Sequence, residues 1–523
     1  MKYIKPYILY ITFCLAVVSC KKDLGNYDYT NSEVPTIDKS SLETSYKVQQ
    51  FSNLMIDPKV DYRGDEKNLK YIWQTYSTSA MSNDPAVAIS TERILNKTIS
   101  IPPGSYNLEL LVTDESNQMK TAFRTALTVE SVIEAGWIVL HTINNESDVD
   151  YISTKQIIPA AIEKRVSNLF QAVLGHKLPG SGQMLGYSRQ NFSNFNWITV
   201  GTDQEIRRMN GFTFAPMFTN EQMFRRKDFY PIKPQVHYND YGFEMLINNG
   251  KLFPLIWLNP YYTDALYAGS YIGEYNLAPY IIFPKPQRPW LGFLVYDQLQ
   301  GRFYRTGSIN LTSPNLLDFR KPIDPAQQNQ IPSYDLNAVN KEMLFMDRGR
   351  GLNNLTDNAY CFFKDRSNGA GRYMYRLDLS KTEDDGKLVI GIYDMSSLPE
   401  IGNAKFYAVG DLGSFALYAT DKKIYRYDYA GTGQSFVSFD GIGSSERITK
   451  MKILKTNFIN TSAEGSEQNN SVLYVATWDG NQGRLYELRL SLTDGKVLGQ
   501  PLKIYEGFGE IKDMMFKHRG IGT

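Results

Sequence analysis

LYATDKKIYRYDY, residues 417–429, reads as a strand (LYAT), a tight polar turn (DKK) and a second strand (IYRYDY). Apolar and polar residues roughly alternate on both sides of the turn, which is the pattern of a β-hairpin. The unit recurs as FLVYDQLQGRFYRTG (293–307), YCFFKDRSNGAGRYMYRLDL (360–379) and LYVATWDGNQGRLYELRL (473–490). Weaker copies are ITVGTDQEIRRMNGFTF (198–214) and MLINNGKLFPLIWL (245–258), and GWIVLHTINNESDVDYI (136–152) opens the series. Turn anchors fall at Asn144, Asp203, Asn248, Asp297, Asp365, Asp421 and Asp479, spaced 45 to 68 residues apart. A four-stranded propeller blade needs ~40–50 residues, the excess going into loops. Residues 136–523 therefore read as a β-propeller of seven blades, with six and eight as the neighbouring counts. The stretch 510–516 is expected to close the ring beside the first blade.

One segment departs from this pattern. In KQIIPAAIEKRVSNLFQAVLG, residues 155–175, the apolar positions Ile162, Val166, Leu169, Phe170 and Val173 have helical spacing. Residues 320–340 are rich in Pro, Gln, Asn and Asp and read as a long surface insertion.

The totals bound the class. At 523 residues the chain exceeds one ordinary core, so two or more domains are expected. Its 36 tyrosines favour strands. Net charge is +1, falling to −1 once Lys2 and Lys5 leave with residues 1–19, so no global field draws nucleic acid or an anionic membrane. With Cys14 in the apolar leader and Cys20 at its end, Cys361 has no disulfide partner and reads as a core residue.

The N-terminus MKYIKPYILYITFCLAVVSC carries two lysines and then an apolar run too short for a comfortable membrane span. It ends in Val-Val-Ser-Cys, which resembles a bacterial lipobox, so residues 1–19 are expected to be removed and Cys20 lipidated. The lipid would anchor the chain without crossing the bilayer. Residues 20–39 are polar and aperiodic, a flexible tether. Lys21-Lys22-Asp23 is loosely similar to charged surface-export signals, which are usually more acidic.

Residues 40–130 read as a separate all-β sandwich of immunoglobulin-like size. Strands are expected at 46–50, 54–60, 70–76, 98–101, 105–113 and 119–129, with Trp73 in the core and a terminal hairpin turning at 114–118. Three features resemble the PKD-like family: the W-x-x-Y core of Trp73 and Tyr76, the G-x-Y-x-L-x-L-x-V-x-D strand from Gly104 to Asp114, and DLGNYDY at 23–29. The strand motif alone also fits many immunoglobulin-like modules. The resemblance implies a lipoprotein on the outer membrane, facing the cell exterior, that works beside SusC/SusD-type nutrient importers. It implies no active residues.

Catalytic constellations are scarce. The histidines 141, 176, 237 and 518 are not spaced as a zinc pair, and H-E-x-x-H, C-x-x-C, G-x-S-x-G and phosphate-loop patterns do not occur. NNESDVD (144–150) and TEDDG (382–386) hold oxygen ligands without EF-hand spacing, and Asp and Asn in hairpins usually serve the turn. No cofactor or metal is expected. Asp264, Glu274, Asp297, Asp365, Asp421 and Asp479 are numerous enough for two to meet as a glycosidase pair.

Aromatic recognition is the strongest hint. Tyr261, Tyr262, Tyr267, Tyr271, Tyr275 and Tyr280 lie in residues 258–284, where Asp264 and Glu274 are the charged residues, and Trp290 follows closely. Flat amphipathic rings stack on sugars or anchor protein partners; equally, alternate tyrosines line blade strands. Tyr261, Tyr262, Tyr267, Tyr271, Tyr275 and Trp290 are the candidate ligand-binding residues. The expected function is a non-catalytic surface binding or scaffold lipoprotein that helps capture a glycan or peptide. The alternative is a glycoside hydrolase or lyase using acidic residues at the propeller mouth.

Overall fold

The computed structural model describes residues 34–78, 85–158, 161–189, 196–240, 243–256, 266–284, 292–306, 315–319, 334–350, 357–367, 369–380, 388–410, 414–455 and 468–518. The leader, the lipidation candidate Cys20 and the tether up to residue 33 lie outside them. The chain divides into two compact units, both built almost wholly of strands. Residues up to 46 with 54–97 and 105–128 form the first, and residues 47–53, 98–104 and 129–523 are grouped in the second. Two short segments inside the expected sandwich, 47–53 and 98–104, are thus counted with the second unit. No helix among the described residues is long and apolar enough to cross a membrane.

The sandwich is organised by a five-stranded sheet in the order Ser45–Gln49, Lys120–Glu130, Gly104–Asp114, Leu69–Ser77, Val87–Ser90. Asn53–Ile56 pairs with Leu95–Thr98, and Thr36–Ile37 with Val60–Asp61. Alternation puts Leu108, Leu110 and Val112 inside, fully buried. Trp73 is 1% exposed, and its indole N–H donates to the Glu92 and Arg93 carbonyls at 3.1 and 3.2 Å, so the large ring is buried without an orphaned donor. Asp114 shapes the expected hairpin turn by accepting the Ser116 amide at 2.9 Å.

The second unit is a β-propeller. Its described strands form seven successive antiparallel sheets, and each of the seven turn anchors lies at a hairpin of a different sheet. In the second, third, fifth, sixth and seventh sheets the strand that comes first packs beside its counterpart in a neighbouring sheet. Gly182–Arg189 lies against Pro234–Asp240 and Glu510–Lys517, and Arg447–Ile453 lies against Glu510–Lys517 and Phe406–Val409. These are the innermost strands, gathered round the ring axis. Closure is by the C-terminal strand Glu510–Lys517, which pairs antiparallel with Gly136–Ile143 from Gly136↔Lys517 to Thr142↔Glu510. The first sheet therefore takes its innermost strand from the C-terminal part of the chain and its other four from the start of the propeller.

In five sheets the innermost strand carries one residue more than its neighbour, at Gln183, Gln235, Leu344, Thr449 and Lys512. Such bulges bend a strand and re-aim the side chains beside it. The cores lie between neighbouring sheets, where apolar side chains of facing strands interlock. One such cluster joins Trp137 and Val139 of the first sheet to Tyr474 and Leu485 of the seventh.

The expected helix over 155–175 is shorter than its spacing suggested. Lys164–Val166 is an edge strand, with Tyr151 opposite Val166, and among the described residues of the stretch only Leu169–Leu174 is helical. Asn168, at φ 56°, breaks the backbone before the helix, and Gly175, at φ 80°, ends it in the left-handed region. Arg165, inside the expected helix, instead pairs with the buried Asp150 at 2.6 Å. Most of the 320–340 insertion and all of 382–386 lie outside the described residues.

Candidate functional site

The described tyrosines of residues 261–280 do not form an open aromatic surface. Tyr267, Tyr271 and Tyr275 are 0%, 4% and 5% exposed. Tyr271 and Tyr275 pack with Met245, Ile247, Leu277 and Phe293 between the third and fourth sheets. The Tyr275 hydroxyl donates to the Tyr271 carbonyl at 2.8 Å, and burial pushes its pKa up to about 12. Tyr280 reaches the Leu344 carbonyl at 2.7 Å, bridging the fourth and fifth sheets. The reason is geometric. Neighbouring sheets face each other through long side chains, and a tyrosine ring fills that gap, its hydroxyl taken up inside it by the Glu244 carboxylate for Tyr267, the Tyr271 carbonyl for Tyr275 and the Leu344 carbonyl for Tyr280. As ligand contacts these three are therefore corrected: their rings are enclosed. Tyr261, Tyr262 and Trp290 lie outside the described residues.

Tyr267 belongs to a sealed polar network that sequence reasoning missed. At its centre is Glu244 on the strand Phe243–Asn248, with no exposed surface. It accepts from the Arg208 guanidinium, the Tyr267 hydroxyl, Ser188 Oγ at 2.5 Å and Trp197 Nε1 at 3.0 Å. His237 Nε2 stands 3.0 Å away, and Arg208 lies over the Trp197 ring at 4.2 Å. Burial alone would raise the Glu244 carboxyl; Arg208 and His237 beside it, with the Ser188 hydroxyl, overcome this and hold it well below the usual carboxylate range. Ser188, Trp197 and Arg208 come from the second sheet and His237 and Glu244 from the third, so the network fastens the two. Among the described residues all its members are buried.

Of the acids proposed as a glycosidase pair, the four at hairpins are committed. Asp297 accepts the Asn276 and Leu299 amides at 2.8 and 2.9 Å. Asp365 is paired with Lys341 and Asp421 with Lys405, at 2.5 and 2.6 Å. Asp479 takes the Asn481 and Gln482 amides at 2.9 and 2.8 Å and Arg484 at 2.8 Å. Glu274 is exposed, and Asp264 lies outside the described residues. In the 144–150 run, Asn144 and Asn145 form the turn with φ of 52° and 61°. Asp148 accepts the Val149 and Phe170 amides, and Asp150 pairs with His141 and Arg165. Among the described residues no cluster of three or more His, Cys, Asp or Glu is placed to hold a metal ion.

What the fold does assemble is a group of charges at the ring axis. Lys450 and Lys452, two apart on Arg447–Ile453, both reach Asp513 Oδ1 on Glu510–Lys517, at 3.3 and 2.8 Å. Asp513 Oδ2 accepts the Leu185 amide of the second sheet at 3.0 Å. Lys452 also donates to the Met514 carbonyl at 2.6 Å. Lys455 pairs with Asp347 of the fifth sheet at 2.5 Å. Burial would raise Asp513, but Lys450 and Lys452 hold it well below the usual carboxylate range. Lys452 is lowered, chiefly by loss of hydration. The local signal was K-M-K-I at 450–453, cations alternating with apolar residues in a strand with no outer face. Its partner, Asp513, is supplied only by ring closure.

A model of the PKD-like family matches residues 20–181. The matched stretch starts at the lipidation candidate Cys20, covers the sandwich and continues through the first hairpin of the propeller. No curated protein matches the chain. Similar solved structures include a quinoprotein alcohol dehydrogenase-like protein from Bacteroides thetaiotaomicron, at 12% identity over 92% of this chain and 99% of that one, TM-score 0.48. The β-propeller domain of Cps50 (Swd1) from Myceliophteria thermophila is 6% identical over 73% and 96%, TM-score 0.34. AztD from Citrobacter koseri is 10% identical over 85% and 100%, TM-score 0.32. These likenesses concern the fold alone.

Proposed function

We propose that this protein is a non-catalytic binding or scaffold lipoprotein, anchored through Cys20 to the outer membrane and facing the cell exterior, that serves a SusC/SusD-type importer of glycans or peptides. The observation that carries the non-catalytic part is the state of the four hairpin acids Asp297, Asp365, Asp421 and Asp479 and of Glu244. Those at the hairpins each hold a turn or an ion pair, and Glu244 is sealed away. A glycosidase needs two carboxyl groups facing one substrate, ~5–10 Å apart, and these acids are occupied elsewhere. The ring offers a rigid frame whose axis presents lysines. The anchor and the importer partnership are supported by the lipobox-like leader and the PKD-like match from Cys20 onward.

The test is an affinity pull-down of the tagged full chain from gently solubilised outer membranes, followed by mass spectrometry. Stoichiometric recovery of a SusC/SusD-type pair is the expected result. Recovery of the protein alone would overturn the importer partnership. Release of reducing ends from a glycan panel would overturn the non-catalytic reading.

A further inference from the structure

We propose that the seam between the innermost strands of the seventh and first sheets is a binding site for a carboxylate-bearing ligand, held by Lys450 and Lys452 with Asp513 as their fixed support. The proposal rests on reading the propeller as a binding part, and names the chemistry of what it binds.

The first ground is charge. Two ammonium groups share one carboxylate oxygen at 3.3 and 2.8 Å. One lysine would neutralise Asp513; the second leaves a surplus of one positive charge, and the two cations repel each other. The motif is repeated on the same two strands. Glu510 is held by Arg447 at 2.6 Å and Lys512 at 2.7 Å, again two cations on one acid. Lys455 and Asp347 nearby cancel each other. A second anion at the seam would relieve the repulsion at each triad.

The second ground is access. Lys450 and Lys452 keep 33% and 38% of their side-chain surface although they stand on an innermost strand. Lys452 is at the same time deep enough to lose hydration, which lowers its pKa. Both ammonium groups are therefore within reach of a ligand that enters at the seam.

The third ground is preorganisation. Asp513 cannot swing toward a ligand, because the Leu185 amide holds its other oxygen. Bulges at Thr449 and Lys512 stand directly before Lys450 and Asp513 in the chain and set the aim of both. A surplus of one charge per triad suits single carboxylates better than phosphate dianions. Uronic acid sugars and acidic peptides share that group.

The experiment is calorimetric titration of the full chain at low salt with tetragalacturonate, tetra-aspartate, maltotetraose and inorganic phosphate. At least one of the two acidic tetramers should bind, and which one identifies the source of the carboxylate. Maltotetraose should not bind. Lys450→Met and Lys452→Met should each weaken binding about tenfold or more, and added salt should weaken it further. Lys450→Arg, which keeps the charge, and Lys496→Met, on an exposed turn, should leave it within about twofold. Thermal melts of each variant establish that it is folded. Failure of both acidic tetramers to bind, equal binding of maltotetraose, or unchanged affinity in folded Lys450→Met would overturn the proposal. The pull-down reads the partnership and the titration reads the ligand, so either can fail alone.

Discussion

Glu244→Gln keeps the shape of the side chain at the centre of the second-to-third-sheet network and removes its charge. Arg208, with no exposed surface, stays cationic because a guanidinium does not deprotonate in proteins. Ser188, Trp197, Arg208 and Tyr267 all donate to the two carboxylate oxygens. An amide offers one oxygen and turns its NH2 toward groups that themselves donate. Breaking one side of a sealed ion pair costs about 3–5 kcal/mol, against about 0–1 kcal/mol for an exposed pair such as Lys227–Glu221. The melting temperature of the full chain should therefore fall by roughly 5 °C or more, read by calorimetry and by the emission of Trp197 beside Arg208. The paired variant Arg208→Met with Glu244→Leu removes both charges and should regain most of the loss. The pH dependence has a definite sign. Because the folded Glu244 pKa is depressed, its contribution is complete above the unfolded value of about 4.5 and is lost as pH falls below it. The Gln variant should thus lie closest to the parent in acid. A Gln variant within about 1 kcal/mol of the parent at pH 7, or a double variant as unstable as the single one, would refute the reasoning.

Other outcomes follow from particular contacts. Cys361 is fully buried and burial pushes its thiol pKa well up, so it should resist a thiol reagent in the native protein and react once in denaturant. A chain ending at Gly509 lacks the strand that pairs with Gly136–Ile143 and buries Ile511 and Met514, and should lose its cooperative unfolding transition in calorimetry. Tyr360→Phe removes the 2.9 Å hydroxyl contact to Tyr429 between the fifth and sixth sheets and should cost about 1 kcal/mol in urea unfolding. Cys20→Ala should move the protein from the detergent phase to the aqueous phase on phase partition of whole-cell lysate; retention in detergent would count against the lipid anchor.

Local pattern was enough for the architecture. Period-two alternation and Asp or Asn turns are properties of adjacent residues, so the hairpins, their anchors and the terminal hairpin of the sandwich were legible from the chain itself. The closing strand could be expected from leftover apolar alternation at its end. Helical spacing misled at 155–165, where Arg165 pairs with the buried Asp150 and Val166 lies opposite Tyr151 on a sheet edge. The roles of Tyr267, Tyr271 and Tyr275 were not legible, because a tyrosine on a surface and one between two sheets have the same neighbours in sequence. Only the stacking of sheets decided that these rings are enclosed, and only ring closure brought Asp513 to Lys450 and Lys452. A hairpin is settled by contacts a few residues apart, whereas the charge cluster at the axis depends on the strand that closes the first sheet lying beside the innermost strand of the seventh, two segments far apart in sequence.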